Sequence, residues 1–286
     1  MKIDINTKMI TLLGKPLGQS FAARMQNAGY EAAGLNMLYF YTEVDKDHLG
    51  DVVNGLRYMN FAGFAVTNPN KGRGLRYLDE LDPLCKKMGA SNTVVKTPEG
   101  KLIGYNTDGV GFYTSLVEEG KINVEESTFF CFGAGGAGRA MCSVLAYHGA
   151  KKIYITDFYE PCAESLVMDI NENFAPVAEL VHHGDYAKIA ECNVVMNASG
   201  IGMGSTIGQT PMPVEHIQPG QFYFDACYNP DKTQFLLNAE EKGCQVLNGL
   251  GMSLYQGAAQ IELWTGEKAP VEAMRKELMD ILAESK

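Results

Sequence analysis

A glycine-rich turn in the middle of the chain has the residue types and the spacing to hold a phosphate group. The apolar run Phe129–Phe132 leads directly into a GxGxxG pattern, and a helical segment, Met141–His148, follows it. In this pattern the first glycine permits a tight turn, the second lets the backbone approach a pyrophosphate, and the third lets the helix lie close to its strand. Free N–H groups at the start of the helix face the anion. The residues predicted to bind a dinucleotide cofactor here are Gly133, Ala134, Gly135, Gly136, Ala137 and Gly138.

An acidic residue follows at the distance expected for a contact with the cofactor's ribose. The next strand-like segment, Lys152–Thr156, ends at Asp157, roughly 20 residues after the glycines. A carboxylate at this point can accept hydrogen bonds from both hydroxyls of an adenosine ribose, but it would repel a 2′-phosphate. The sequence therefore predicts NAD in preference to NADP. The alternative is a glycine-rich turn with an aspartate on the surface.

Strand-like and helix-like segments alternate in the first part of the chain. The predicted strands are Ile10–Leu13, Met37–Thr42, Gly63–Val66 and Thr93–Lys96. The helices predicted between them are Phe21–Ala33, Lys46–Met59 and Asp79–Met88. This order is typical of a parallel α/β unit.

A second series of strands surrounds the glycine-rich turn and predicts a doubly wound, Rossmann-type domain. Its members are Thr128–Phe132, Lys152–Thr156, Val194–Asn197, Phe222–Asp225 and Gln245–Asn248. Two helices at the end of the chain, Ser253–Thr265 and Val271–Glu284, are expected to pack back on the first unit. The prediction is thus an α/β protein of two domains, a substrate-binding domain formed by residues 1–108 plus 252–286 and an NAD-binding domain formed by residues 109–251.

Composition favours a small-molecule partner. The 286 residues carry a formal net charge of −10, which argues against nucleic acid and against an anionic membrane, since both bind basic surfaces. The seven cysteines show no CxxC spacing, and no histidine pattern suggests a metal, so neither disulfides nor a metal site is expected. We find no signal-peptide pattern and no long apolar run, and we expect a reduced, cytoplasmic protein.

Short motifs spread along the whole chain resemble those of the shikimate dehydrogenase family, including its quinate/shikimate members. In order, they are Gly14–Ser20, Val66–Lys71 (VTxPxK), Gly89–Thr93 (GAxNT), Asn106–Gly109 (NTDG), Gly133–Ala140 (GAGGAxRA), Asn197–Met203, Asp225–Thr233, Gly251–Ala258 (GMxxxQxA) and Trp264–Gly266. Each motif alone is weak evidence for the family. Their number and their order make coincidence an unsatisfactory explanation.

The resemblance implies an oxidoreductase that holds a small hydroxylated ring between its two domains. Lys71 and Asp108 match the family's catalytic pair. Thr67, Asn92 and Gln256 match positions that bind ring hydroxyls, whereas Ser20 and Tyr228 match positions near the substrate carboxylate. Gly251 opens the GMxxxQxA motif and is assigned to the cofactor site. Related proteins commonly form dimers, so a homodimer is compatible with the resemblance, although the sequence shows no interface.

A lysine beside a carboxylate suits this chemistry. When a secondary alcohol gives up a hydride, its hydroxyl proton must leave to a base about 2.6–3.2 Å away. Neutral Lys71 can take that proton, and its ammonium can return it in the reverse direction, while Asp108 orients the lysine. Asp108 also favours the charged lysine, so the sequence leaves the route of the proton open.

Each site residue also has an ordinary structural explanation. Lys71 can be a solvated loop lysine, and Asp108 can cap the helix predicted at Gly109–Leu116. The remaining alternatives are a strand-end hydroxyl for Thr67, a turn former for Asn92, an exposed helical side chain for Gln256, a helix cap for Ser20 and a packing aromatic for Tyr228.

The chain departs from the family pattern at several positions. Ala22 stands where a second serine is usual, Ala65 stands where an asparagine usually precedes VT, and Gln19 and Ala23 replace His and Pro. Losing two neutral hydrogen bonds would cost up to ~3 kcal/mol, on the order of 100-fold in binding. Shikimate would then bind weakly, or the substrate differs; the alanines also leave room for a bulkier substituent.

The cofactor loop departs as well. Members that use NADP typically carry Asn and then Arg after the second strand, and here Asp157-Phe158-Tyr159 occupies that place. We therefore predict NAD-linked interconversion of shikimate or quinate and its 3-dehydro ketone. Two alternatives remain: the same chemistry on a different cyclic hydroxy acid, and a family member that binds NAD without catalysis.

Overall fold

The computed structural model describes residues 3–18 and 20–284. The chain divides into two compact units, one formed by Met1–Thr107 with Leu254–Lys286 and the other by Asp108–Ser253. Within the described residues no helix is both long enough and apolar enough to cross a membrane. The same residues contain no cluster of three or more His, Cys, Asp or Glu side chains arranged to hold a metal ion.

The first unit is built on a six-stranded sheet with the strand order β2-β1-β3-β5-β6-β4. Its elements are β1 (Lys8–Gly14), α1 (Ala22–Ala32), β2 (Met37–Glu43), α2 (Leu49–Tyr58), β3 (Phe61–Val66), β4 (Glu80–Leu81), α3 (Pro83–Met88), β5 (Thr93–Lys96) and β6 (Leu102–Tyr105). The chain continues into α4 (Thr107–Glu118), and the last two helices are α8 (Leu250–Thr265) and α9 (Val271–Glu284). The predicted strands and helices of this part are present, with ends shifted by a few residues in most cases.

The sheet of the first unit is mixed, so the prediction of a parallel unit was wrong. β5 runs antiparallel to both β3 and β6. The cause is the short turn between β5 and β6, in which Thr97 N–H donates to the Lys101 carbonyl at 2.8 Å. A tight turn can join only antiparallel strands. β6 itself was not predicted from the sequence.

The helix predicted at Asp79–Met88 is shorter than expected. It begins only at Pro83, because the Asp82 side chain caps it by accepting from Leu84 N–H at 2.9 Å and from Cys85 N–H at 3.3 Å. The preceding residues, Glu80 and Leu81, form β4 and pair with β6 instead. The polar cap therefore divides one predicted helix into a strand and a helix.

Buried polar side chains connect the helices and the sheet of the first unit. Gln26 on α1 donates to Gln260 on α8 at 2.9 Å, and Gln260 donates to the Thr93 hydroxyl on β5 at 2.9 Å. On the same helix, Trp264 donates its indole N–H to the Val94 carbonyl at 3.0 Å. Because buried polar groups cost free energy unless they are paired, these bonds fix α8 against β5.

The second unit has an entirely parallel six-stranded sheet with the strand order β12-β11-β10-β7-β8-β9. Its elements are β7 (Thr128–Phe132), α5 (Gly136–Tyr147), β8 (Lys152–Thr156), α6 (Glu160–Asn173), β9 (Ala178–Leu180), β10 (Val194–Asn197), β11 (Phe222–Asp225), α7 (Gln234–Glu241) and β12 (Gln245–Asn248). All five predicted strands are present with the predicted bounds, and the α/β fold class is confirmed. β9 was not predicted.

The order of these strands determines where a ligand can bind. The chain adds β8 and β9 on one side of β7 and then returns to add β10, β11 and β12 on the other side. The connection that leaves β7 leads toward β8, and the one that leaves β10 leads toward β11 in the opposite direction. A crevice therefore opens between the carboxyl ends of these two central strands. The glycine-rich turn follows β7 directly, so it lies at the edge of this crevice.

Candidate active site

Two of the three glycines of the GxGxxG pattern after β7 are required by close packing. Gly133 has a φ of 99°, which favours glycine, and a Cβ there would lie 2.6 Å from Ser199 N. A Cβ on Gly138 would collide with the Gly133 carbonyl oxygen. At Gly135, by contrast, a Cβ would meet no atom of the described residues within 4 Å. Packing thus explains Gly133 and Gly138, whereas Gly135 faces open space at the start of α5.

Asp157 joins the end of β8 to the glycine-rich turn. One carboxylate oxygen accepts from Ala134 N–H at 2.7 Å, and the other accepts from Tyr159 N–H at 2.8 Å. Each carboxylate oxygen can accept two hydrogen bonds, so both retain capacity for a further donor. Asp157 is half-buried, and its charge lies at the carboxyl edge of the sheet.

These residues border a cleft of about 310 Å³ within the second unit. The ends of β7, β8 and β10 form its floor, and the side chains of Asp157, Phe158 and His183 form part of its wall. The rings of Phe158 and His183 lie 5.5 Å apart in an edge-to-face arrangement, and Phe158 is 88% exposed. The Thr156 hydroxyl is buried without a partner among the described residues. The volume, the open side of Gly135 and the N–H groups of α5 fit a dinucleotide.

Several residues that line this cleft were not predicted from the sequence: Phe158, His183, Ser199, Ile201 and Pro211. Ser199 and Ile201 belong to the Asn197–Met203 motif and could have been assigned from its position after a central strand. Phe158 directly follows Asp157 and could have been assigned in the same way. No local pattern marks His183, because it reaches the cleft from the segment after β9.

A buried carboxylate holds two loops at the carboxyl edge of the second sheet. Asp225, at the end of β11, accepts from the Asn197 amide at 3.0 Å, from Cys227 N–H at 2.9 Å and from the Thr233 hydroxyl at 2.6 Å. Burial raises the pKa of Asp225 above its usual value near 3.8, although these hydrogen bonds oppose the shift. The carboxylate therefore fixes the loop after β10 relative to the loop after β11.

Tyr228 lies on the second of these loops, three residues beyond Asp225. The side chain is half-buried, and burial raises the pKa of its hydroxyl to about 12. The phenol therefore remains protonated at neutral pH and can donate a hydrogen bond.

Gly251 has a packing role in this structure. It lies near the start of α8, and a Cβ would collide with the Ser115 hydroxyl of α4 and would lie 2.6 Å from a carboxylate oxygen of Glu119. A larger residue would force the side chains of Ser115 and Glu119 to shift, so the packing of α8 on α4 favours glycine here. Its predicted contact with the cofactor stays a prediction.

In the first unit, Thr67 and Lys71 lie on the loop that leaves β3. Thr67 N–H donates to the Leu13 carbonyl at 2.9 Å, and the Thr67 methyl group packs so closely on Gly14 that a Cβ there would collide with it. Farther along, Ser91 N–H donates to the Lys71 carbonyl at 3.1 Å. The backbone of Lys71 is therefore held by a hydrogen bond to Ser91, the residue before Asn92. Lys71 is half-buried.

Asn92 is only 3% exposed, and its side chain holds the start of α4. Its amide donates to the Thr107 hydroxyl at 2.9 Å, and its carbonyl oxygen accepts from Thr107 N–H at 2.7 Å and from the Thr93 hydroxyl at 3.0 Å. The helix starts at Thr107, so Asp108 lies in the first turn and is not the residue before the helix. Asn92 therefore holds the first residue of α4, next to Asp108.

The two other substrate residues of the first unit differ in their surroundings. The Ser20 hydroxyl accepts from Ala22 N–H at 3.3 Å in a local turn, and Phe21, not Ser20, is the residue that directly precedes α1. Gln256 is half-buried on α8, and its amide makes no hydrogen bond within residues 3–18 and 20–284. Gln19, at the position of the family's histidine, lies outside the described residues.

Comparisons with known proteins agree with this architecture. The family model described as the shikimate dehydrogenase substrate binding domain matches residues 12–94, and the model described as the shikimate 5′-dehydrogenase C-terminal domain matches residues 249–279. A shikimate dehydrogenase (NADP(+)) of Desulforamulus reducens is 39% identical over 281 residues, which cover 97% of this chain and 96% of the relative. The chain belongs to the shikimate dehydrogenase family. The resemblance predicted from the motifs is confirmed.

Solved structures of similar sequence share this fold. The shikimate 5-dehydrogenase of Listeria monocytogenes, in complex with shikimate and NAD, is 37% identical with a TM-score of 0.93, covering 97% of this chain and 98% of that one. The 5-ketofructose reductase of a Gluconobacter strain is 31% identical with a TM-score of 0.88, covering 97% and 100%. The chain is therefore an oxidoreductase of this family that uses a nicotinamide dinucleotide to act on a CH–OH group.

Proposed function

We propose that the chain interconverts shikimate, or quinate, and its 3-dehydro ketone with NAD as the preferred cofactor. One observation carries the proposal: the dipeptide Ser91-Asn92 holds the backbone of Lys71 and that of Thr107, the residue before Asp108. Ser91 N–H donates to the Lys71 carbonyl, and the Asn92 side chain accepts from Thr107 N–H. A catalytic pair must be held in fixed positions to act, and this arrangement supports that role.

Oxidation of the ring alcohol removes a hydride from carbon and a proton from the hydroxyl oxygen. The nicotinamide, when bound, supplies the hydride acceptor. Lys71 takes the hydroxyl proton in this direction and returns it as an ammonium in the other, while the Asp108 carboxylate orients the lysine. Thr67, Asn92 and Gln256 position the ring through its other hydroxyls. Ser20 and Tyr228 donate hydrogen bonds to the carboxylate.

Residues of the second unit support the preference for NAD. The glycine-rich turn, Gly133–Gly138, would hold the pyrophosphate, and Gly251 is assigned to the same cofactor. Asp157 would accept from the ribose hydroxyls with its remaining lone pairs. Among the described residues that line the cleft there is no arginine or lysine to neutralise a 2′-phosphate. The relative from D. reducens is named for NADP(+), whereas the L. monocytogenes structure contains NAD, so cofactor preference varies among relatives.

A second candidate is the same reaction on a different polyhydroxylated ring. The departures at Ala22 and Ala65 favour it, and so does the 5-ketofructose reductase at 31% identity. Ala65 is 1% exposed and lies opposite Thr93 in the sheet, so its methyl group lines no open space in this structure. Ala22 is half-buried at the start of α1 and is the better candidate for a change of specificity.

Initial rates at 340 nm test the proposed reaction, measured as NADH or NADPH formation with shikimate or quinate and as NADH consumption with neutral ring ketones. We expect turnover with shikimate or quinate, a higher kcat/KM with NAD than with NADP, and little reduction of neutral ring ketones. Reduction of a neutral ketone alone would favour the second candidate. NAD binding without turnover of any of these compounds would indicate a non-catalytic member of the family.

Replacing Lys71 by alanine tests the catalytic assignment. General acid–base catalysis contributes roughly 10²- to 10⁴-fold, so Lys71→Ala should lose about that factor in kcat while its affinity for NAD, measured by titration, changes little. Lys101→Ala is the control, because Lys101 is an exposed lysine paired with Glu80 at 2.7 Å on β4. A Lys71→Ala enzyme with the full rate would remove Lys71 from the mechanism.

A further inference from the structure

Two side chains at the end of β2 hold the loop that leads into α1. Tyr41 and Glu43 are two residues apart, so they lie on the same face of the strand. Glu43 accepts from Leu17 N–H at 2.9 Å. The Tyr41 hydroxyl donates to the Ser20 carbonyl at 2.6 Å and accepts from Ala23 N–H at 3.0 Å. The Tyr41 hydroxyl therefore joins the backbone just before α1, at Ser20, to the backbone of its first turn, at Ala23.

These bonds supply acceptors for N–H groups at the start of α1. Phe21 precedes α1 and provides no side-chain acceptor for its N–H groups. Ala22 N–H donates instead to the Ser20 hydroxyl, and Ala23 N–H donates to Tyr41. Because Ser20 uses its hydroxyl oxygen as an acceptor, and donates to no other described residue, its O–H remains available for a ligand.

We propose that Tyr41 is a positioning residue for the substrate carboxylate and that it acts through Ser20. The inference rests on the proposed function, which assigns Ser20 to the carboxylate. With alanine at position 22, this loop has one hydroxyl where the family usually has two, so recognition of the carboxylate depends on how firmly Ser20 is held. The Tyr41 hydroxyl fixes the carbonyl of Ser20, and Glu43 fixes the loop three residues earlier.

The test is Tyr41→Phe, which removes one hydroxyl and preserves the ring. Two hydrogen bonds of ordinary strength are lost, so KM for shikimate or quinate should rise on the order of 10-fold. We expect kcat and KM for NAD to stay within about twofold, since Tyr41 touches neither the proposed catalytic pair nor the cofactor cleft. Tyr58→Phe is the matched control, because Tyr58 is 91% exposed at the end of α2.

A double-mutant cycle with Ser20→Ala separates positioning from a direct or purely structural effect. If Tyr41 acts through Ser20, the double variant should have the KM of Ser20→Ala alone. Additive increases in KM, or an unchanged KM in Tyr41→Phe, would overturn the inference. An unmutated chain that converts neither acid would instead refute the proposed function, so the two failures give different results.

Amide hydrogen exchange tests the same contact without substrate. The Ala23 amide should exchange faster in Tyr41→Phe than in the unmutated chain or in Tyr58→Phe, because its acceptor has been removed. An unchanged rate would show that the Tyr41 hydroxyl does not hold the loop, and it would overturn the inference independently of any activity.

Discussion

Replacing Asp157 by asparagine should weaken the preference for NAD because it removes the charge that a 2′-phosphate would meet. Two unit charges roughly 5 Å apart repel each other by about 1 to 3 kcal/mol at effective dielectric constants of about 80 to 20. Asp157 is half-buried, so the lower part of that range applies. We expect the ratio of kcat/KM for NADP to that for NAD to rise about 5- to 30-fold, which corresponds to about 1–2 kcal/mol.

The same substitution should also weaken binding of both cofactors. Asp157 accepts from Ala134 N–H and from Tyr159 N–H with different oxygens. The asparagine side chain has only one acceptor oxygen, so one of these backbone groups loses its partner. That loss costs about 0.5–1.5 kcal/mol and affects NAD and NADP equally. The change in ratio therefore measures the charge together with the hydrogen bond to the 2′-hydroxyl that only NAD offers, and the common loss measures the effect on the turn.

Steady-state rates with each cofactor, at saturating substrate, separate the two parts. Asp157→Glu serves as the control, because it keeps the charge but displaces the carboxylate, and should lower both efficiencies with little change in their ratio. An unchanged ratio in Asp157→Asn, together with weaker binding of both cofactors, would show that the charge of Asp157 does not cause the preference for NAD. Asp157 would then only brace the turn, and the preference for NAD would need another cause.

Three further substitutions test the packing and the buried charge. Gly138→Ala should destabilise the fold by about 1–3 kcal/mol and abolish NAD binding, because its Cβ would collide with the Gly133 carbonyl; thermal unfolding and NAD titration check this, and an unchanged variant would contradict it. Gly251→Ala should lower Tm, because its Cβ would displace the side chains of Ser115 and Glu119, and it should also weaken NAD binding, as its proposed place in the cofactor site requires; a lower Tm with unchanged NAD affinity would leave Gly251 with a packing role alone. Asp225 has a raised pKa in the folded chain, so its contribution to stability is fully present below about pH 4 and is lost as pH rises through the folded pKa. Asp225→Asn should therefore gain stability relative to the unmutated chain as pH rises, as measured by urea unfolding, and a pH-independent difference would refute the assignment.

The second unit could be predicted closely from the sequence because each of its strands is a short apolar run between polar turns. Buried parallel strands need apolar residues on both faces, so Thr128–Phe132 and Phe222–Asp225 are visible without structural information. β9 was missed because it has three residues and only Ala178 is fully buried. An edge strand of this kind has no pattern distinct from a loop.

The first unit was harder to predict because its strand directions depend on turns. Thr93–Lys96 was identified as a strand, but its antiparallel direction follows from the turn that joins it to β6. Similarly, the Asp82 cap decides that α3 begins at Pro83, and helical periodicity alone extends the helix too far. Strand and helix periodicity predicts which segments form, whereas individual turn residues decide how they connect.

The candidate site shows the same division between local and long-range information. The geometry of Gly133 and Gly138 agrees with the roles expected from GxGxxG spacing, because that motif is local. The contact between Asp157 and Ala134 joins residues 23 positions apart, and the contact of Tyr41 with Ser20 joins residues 21 apart. No sequence pattern indicates such pairs, because they depend on how the strands are placed side by side.

The most direct test of the central claim is to identify the product formed from shikimate and NAD by the unmutated chain. We expect a ring ketone that is lighter than shikimate by two hydrogen atoms, seen by mass spectrometry, with one NADH formed for each ketone. Binding of NAD without formation of a ketone from either shikimate or quinate would rule out the proposed function.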